Sequence, residues 1–163
     1  MENTNSTRPT WRELWRNPAH LLAFGFGAGL SPKAPGTAGT LVAVPVYLLA
    51  QQMSYPAQIV LLVAVIMAGI WICDRTASDL KVHDHPGIVW DEIAGFLLTM
   101  SAVDFSWFNL AAGFLLFRCF DILKPWPISY FDRNVQGGLG IMLDDIVAGI
   151  CAASILYLVQ YFL

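Results

Sequence analysis

Residues 40–73 read TLVAVPVYLLAQQMSYPAQIVLLVAVIMAGIWIC, and no charged residue occurs anywhere between Lys33 and Asp74. The stretch divides into two apolar runs, 40–53 and 57–73, at Ser54-Tyr55-Pro56, where a proline after two polar groups favours a turn. Each run falls short of the ~20 residues that cross a hydrocarbon core, so each reads as a short span. Together they predict a helical hairpin, because only internally bonded backbone survives in lipid. Working outward, 93–103 and 107–117 repeat the pattern around a break at Asp104-Phe105-Ser106, and 146–163 is uncharged. The run 21–30 is too short to span and holds Gly25, Gly27 and Gly29, which suits a half-inserted or re-entrant element.

Composition agrees with this reading. Of 163 residues, 56% are hydrophobic and 13% charged, and the mean hydropathy is +0.57. An average soluble domain carries ~25% charge. A soluble acidic enzyme and a disordered regulator are thereby excluded. Nine Lys and Arg against twelve Asp and Glu leave no basic footprint, which excludes a nucleic-acid partner. Cys73, Cys119 and Cys151 form no C-x-x-C pair, so neither a disulfide framework nor a zinc knuckle is supported. The expectation is an all-α, membrane-embedded bundle of short hairpin helices, 20–163, behind a basic segment, 1–19.

The basic residues orient it. Arg8, Arg12 and Arg16 precede the first run and Lys33 follows it. Arg75 and Lys81 follow the first hairpin, and Arg118, Lys124 and Arg133 the second. If both hairpins turn outside, all nine Lys and Arg share one face, which the positive-inside tendency makes cytoplasmic. Of the twelve acids, only Asp104 then lies outside. A cleavable signal peptide competes for the N-terminus, but its basic region would be long, its core glycine-rich, and no A-x-A site follows. Trp90, Trp107 and Trp126 read as interfacial anchors.

Three polar loops meet on the inner face: 31–40, 74–92 and 118–145. They carry two acidic pairs, Asp91-Glu92 before Ile93 and Asp144-Asp145 before Ile146. Helix capping accounts for one acid at each place, since a carboxylate complements the macrodipole by ~0.3–1 kcal/mol. A second acid costs a few kcal/mol at the edge of lipid unless paired or bound to a cation. With Asp121, the pairs fit an oxygen-ligand Mg²⁺ site, the expected ligands being Glu92, Asp121, Asp144 and Asp145. Arg118 and Asp121 share a helix face, so either a local ion pair forms or Arg118 and Lys124 meet a phosphate. Pro125 should end that helix. Backbone donors at Pro35-Gly36-Thr37 and at 137–140 could wrap an anion, although glycine loops usually just turn the chain. His83-Asp84-His85 reads as a solvated turn and His20 has no partner in sequence. There is no cysteine-phosphatase loop, no D-x-D and no Ser-Gly-His stretch. Metal-activated water is then the simplest route to phosphate hydrolysis.

These residues resemble the bacterial phosphatidylglycerophosphatase A family. The resemblance runs from 25–32 through Pro35-Gly36-Thr37, 82–85, 90–95, Phe117-Arg118, Asp121, 124–128 and 131–134 to 137–149. It implies a Mg²⁺-dependent inner-membrane enzyme that removes the terminal phosphate of phosphatidylglycerophosphate to give phosphatidylglycerol. It also implies an all-helical fold with a central helix. The expected catalytic pool is Asp91, Glu92, Asp121, Asp144 and Asp145, with Thr37, Arg118, Lys124 and Arg133 for the phosphate. The partners are then a phospholipid substrate and the bilayer. Two rivals stand beside this: a divalent-cation carrier, which needs acids near mid-span, and a non-catalytic subunit, in which the acids only cap helices.

Overall fold

The structure is a computed structural model that describes residues 9–82 and 85–162. His83 and Asp84, and with them most of the expected histidine turn, lie outside the described residues. Every regular element among the described residues is helical.

The chain enters through α1 (Trp11–Arg16) and α2 (Pro18–Ala23), then a kinked 3₁₀ segment over Gly25–Leu30. Leu14 of α1 is fully buried beside Phe24, so from Pro9 onward the segment is packed against the bundle, and residue 19 falls inside α2. The run 21–30 is therefore a helix end and a tight coil. The Val89 N–H donates to the Ala23 carbonyl (2.8 Å), pinning this coil to the start of the central helix.

Then come α3 (Pro35–Ala50), α4 (Tyr55–Leu80), α5 (Trp90–Met100), α6 (Trp107–Leu123), α7 (Ile128–Asn134) and α8 (Gly137–Phe162). The second hairpin turns across 101–106, over the expected break, whereas the first turns at 51–54. Tyr55 and Pro56 are already helical, because proline suits the first turn of a helix, where its missing N–H has no partner to lose. Two helix lengths differ. The run 57–73 sits in a helix of 26 residues, about 39 Å at 1.5 Å per residue, so α4 is long enough for a full span rather than a short one. It continues through Asp74, Arg75 and Asp79, because Asp79 is satisfied by Arg75 (3.1 Å) and by His20 of α2 (3.1 Å). The last helix begins at Gly137, nine residues before the uncharged run, and is also 26 residues long. Both α4 and α8 are long and apolar enough to cross a membrane. Along α4, Val60, Val63, Met67 and Trp71 form an exposed apolar stripe, the outward face expected of a helix solvated by lipid.

The central helix is α5. Residues 93–97, Thr99 and Met100 are all buried, and α3, α4, α6 and α8 pack around it. Against α8 the approach is backbone to backbone: a Cβ on Gly149 would lie 2.6 Å from the Gly95 carbonyl oxygen. Thr99 Oγ1 donates to the Gly95 carbonyl of its own helix (2.9 Å) and, across the crossing, to the Gly149 carbonyl of α8 (3.3 Å). Small residues let helices in lipid approach closely enough for dispersion to hold them. Trp90 is drawn inward, its indole N–H donating to the Val65 carbonyl of α4 (3.0 Å), and so is not the interfacial anchor expected of it.

The ends of the bundle differ. At one end the turns after α3 and α5 line a shared cleft with Tyr157 and Gln160 of α8. The opposite end gathers the starts of α3, α5 and α8 with the close of α6.

Candidate active site

Asp91 and Glu92 lie in the first turn of α5, so they face the favourable end of that helix dipole. Asp144 and Asp145 do not sit at a helix start. They lie about two turns beyond Gly137, where the dipole offers little. What leads α8 is Gly137, with φ +74°, and Asp74 of α4, whose Oδ1 accepts the Gly138 N–H (2.9 Å). Capping therefore does not account for the second acidic pair.

The α5–α8 crossing brings the two pairs together. One carboxylate oxygen from each of Asp91, Glu92 and Asp145 lies within 4.8 Å of the other two. Each of these side chains also holds a buried oxygen without a hydrogen-bond partner among the described residues: Asp91 Oδ1, Glu92 Oε2 and Asp145 Oδ2. Asp121 of α6 neighbours Asp145 and Glu92 and pairs with Arg118 Nη1. The same Nη1 lies 3.6 Å from Glu92 Oε1, and Arg118 Nε is buried without a partner.

At the flank, Lys124 closes α6 in a left-handed conformation, φ +43°. Its Nζ reaches Asp144 (2.6 Å) and Asp132 of α7 (2.5 Å). Burial alone would lower the Lys124 ammonium, but hydrogen bonds to both carboxylates and their charges outweigh it, holding it above the usual lysine range.

All five expected acids thus converge, with Arg118 and Lys124 among them. The tightest group differs from the ligand set drawn from sequence. Asp121 and Asp144 are engaged by cations, and Asp91 takes a place beside Glu92 and Asp145. Thr37 follows Gly36 in the first turn of α3, and Gly36 lies directly against Glu92 and Arg118. Arg133 is exposed on α7, with no ion pair among the described residues. Sequence reasoning misses Asp132 as the second partner of Lys124, because Pro125-Trp126-Pro127 intervenes and no helical spacing links the two. It also leaves Asp74 without a role.

Six carboxylates, Asp91, Glu92, Asp121, Asp132, Asp144 and Asp145, share two cations, Arg118 and Lys124. Anionic groups this close need protons or a further cation. The three orphaned oxygens are hard donors, suited to a divalent ion such as Mg²⁺, and no thiolate–imidazole set competes for a softer metal among the described residues.

The family model for phosphatidylglycerophosphatase A matches residues 21–160. The Escherichia coli phosphatidylglycerophosphatase A is 50% identical over 148 residues, covering 89% of this chain and 85% of that protein. Its Haemophilus influenzae namesake is 42% identical over 152 residues, 90% of this chain and 91% of that protein. A Bacteroides thetaiotaomicron protein, provisionally named a phosphatidylinositol-3-phosphatase, is 37% identical over 139 residues, 80% of this chain and 86% of that protein. No solved structure matches the chain.

Proposed function

This chain belongs to the phosphatidylglycerophosphatase A family and is a phosphatase that dephosphorylates phosphatidylglycerophosphate, and we propose that it does so with a divalent cation held by Asp91, Glu92 and Asp145. The observation that carries the cation site is the trio of unpartnered carboxylate oxygens in a buried, strongly anionic pocket. These three carboxylates would hold a magnesium ion, which would supply Lewis-acid charge to the phosphoryl oxygens.

The chain's own residues do the rest. Arg118 presents a guanidinium whose Nε is uncommitted, and it neutralises the phosphate monoester as negative charge develops on the leaving oxygen. Backbone donors at the start of α3, with Thr37, approach the same place. Arg133 and Lys124 add positive charge at the rim. A carboxylate of the pool orients the attacking water and takes its proton. The water oxygen bonds to phosphorus as the phosphorus–oxygen bond to the glycerol breaks, and the proton taken from the water is passed to the departing glycerol oxygen, giving inorganic phosphate and phosphatidylglycerol. Asp121 and Asp144, tied to Arg118 and Lys124, hold the cationic groups in place.

The enzyme is a membrane protein, and we place it in the inner membrane with the acidic end toward the cytoplasm. Segregation of basic residues to that end supports this orientation. The acids also gather at one end with Arg and Lys among them, an arrangement that disfavours a cation carrier.

The test is phosphate release by purified protein in detergent. Phosphatidylglycerophosphate is the substrate, assayed with Mg²⁺ and with chelator, beside a phosphatidylinositol phosphate as a second substrate. Turnover with Mg²⁺ that vanishes in chelator is expected. Equal release in both would remove the cation from the mechanism, and preference for the inositol lipid would reassign the head group.

A further inference from the structure

Gly36 stands in the first turn of α3, and its φ is not among the positive values in the described chain, so its backbone conformation is open to any L-residue. Alanine is the better helix former. The need for glycine there is instead steric. A Cβ built on Gly36 would lie 2.0 Å from Glu92 Oε1 and 3.0 Å from both Arg118 Nη1 and Nη2. The Gly36 carbonyl is fixed from behind, accepting a 2.9 Å hydrogen bond from the buried Thr40 hydroxyl. Ala34, in a left-handed conformation with φ +48°, and Pro35 at the helix start set the path of the chain into this turn.

We propose that Gly36 is a positioning residue for the reaction, its missing side chain being what lets the Glu92 carboxylate stand between Asp91, Asp145 and Arg118. The first atom a Cβ meets is the far end of a flexible side chain, and such an atom moves at small cost. Gly36→Ala is therefore tolerated by the fold and paid for at Glu92, whose Oε1 is driven off the Arg118 guanidinium. The inference rests on the reading of Glu92 as a site carboxylate, so its test carries a separate control for that reading.

The experiment compares wild type, Gly36→Ala, Glu92→Asp, the double variant Gly36→Ala/Glu92→Asp, and Glu92→Gln. Phosphate release against Mg²⁺ concentration and the rise in Tm on adding Mg²⁺ are both measured in detergent. Gly36→Ala is expected to melt within a few degrees of wild type in chelator. It should lose turnover by about 30-fold or more, need more Mg²⁺, and show a smaller Mg²⁺-induced rise in Tm. Glu92→Asp retracts the carboxylate by one methylene, so adding Gly36→Ala to it should cost far less than adding it to wild type. Wild-type Mg²⁺ dependence in Gly36→Ala, or equal cost in both backgrounds, overturns the proposal. Should Gly36→Ala fail to fold, recovery of a melting transition in the double variant supports the contact, and its absence overturns it. If Glu92→Gln keeps turnover, the reading of the site falls instead, and the role of Gly36 with it.

Discussion

Asp145 shows how much the environment of one residue decides. Inside a span, a carboxylate costs a few kcal/mol unless something compensates. Asp145 is 3% exposed, with Oδ2 unpartnered and Asp91 and Glu92 within 4.8 Å. Such an arrangement opposes folding unless protons or a cation neutralise it, and buried carboxylates of this kind cluster at functional sites. Glu92→Gln and Asp145→Asn each keep side-chain volume while removing an anionic donor. Each is expected to lower turnover by about 100-fold or more while the protein stays folded. Phosphate release alongside circular dichroism checks this. Near-normal rates in both variants would reduce these acids to structural groups. Lys124 is the contrasting case, since its charge is committed to Asp132 and Asp144.

The crossing of α5 and α8 is what assembles the acids. It is close because glycines face one another, with Thr99 donating to both carbonyls. The Asp145 carbonyl itself lies 2.7 Å from where a Cβ on Gly95 would stand, so helix separation and the carboxylate cluster are coupled. Gly149→Leu therefore has to push α8 away from α5. Overpacking of this kind costs about 1–3 kcal/mol. The expected outcome is a lower Tm together with lost turnover, read by thermal unfolding in detergent and phosphate release. Loss of both separates this variant from Gly36→Ala, where activity falls and the fold persists. An unchanged Tm would mean that the crossing has slack.

At the scale of the whole molecule, polarity along the bundle axis sets orientation. With Cys119, the exposed native cysteine, replaced by serine, Ser54→Cys is expected to react with an impermeant thiol reagent from outside intact cells. Val82→Cys is expected to react only after the membrane is opened. The reverse pattern would invert the topology. The amino-acid order alone determined the helical class, the existence of two hairpin breaks, and the pool of acids, because hydropathy and charge act locally. It also carried the family resemblance in its motifs. It could not show that α4 and α8 run through their charged residues, since Asp79 needs His20 and Asp74 needs Gly138, partners far away in the chain. Nor could it separate Asp91 from Asp121 and Asp144 as neighbours of Glu92 and Asp145. That choice belongs to the tertiary structure, because it follows from how closely two glycine-lined helices pack and from which carboxylates two distant cations reach first.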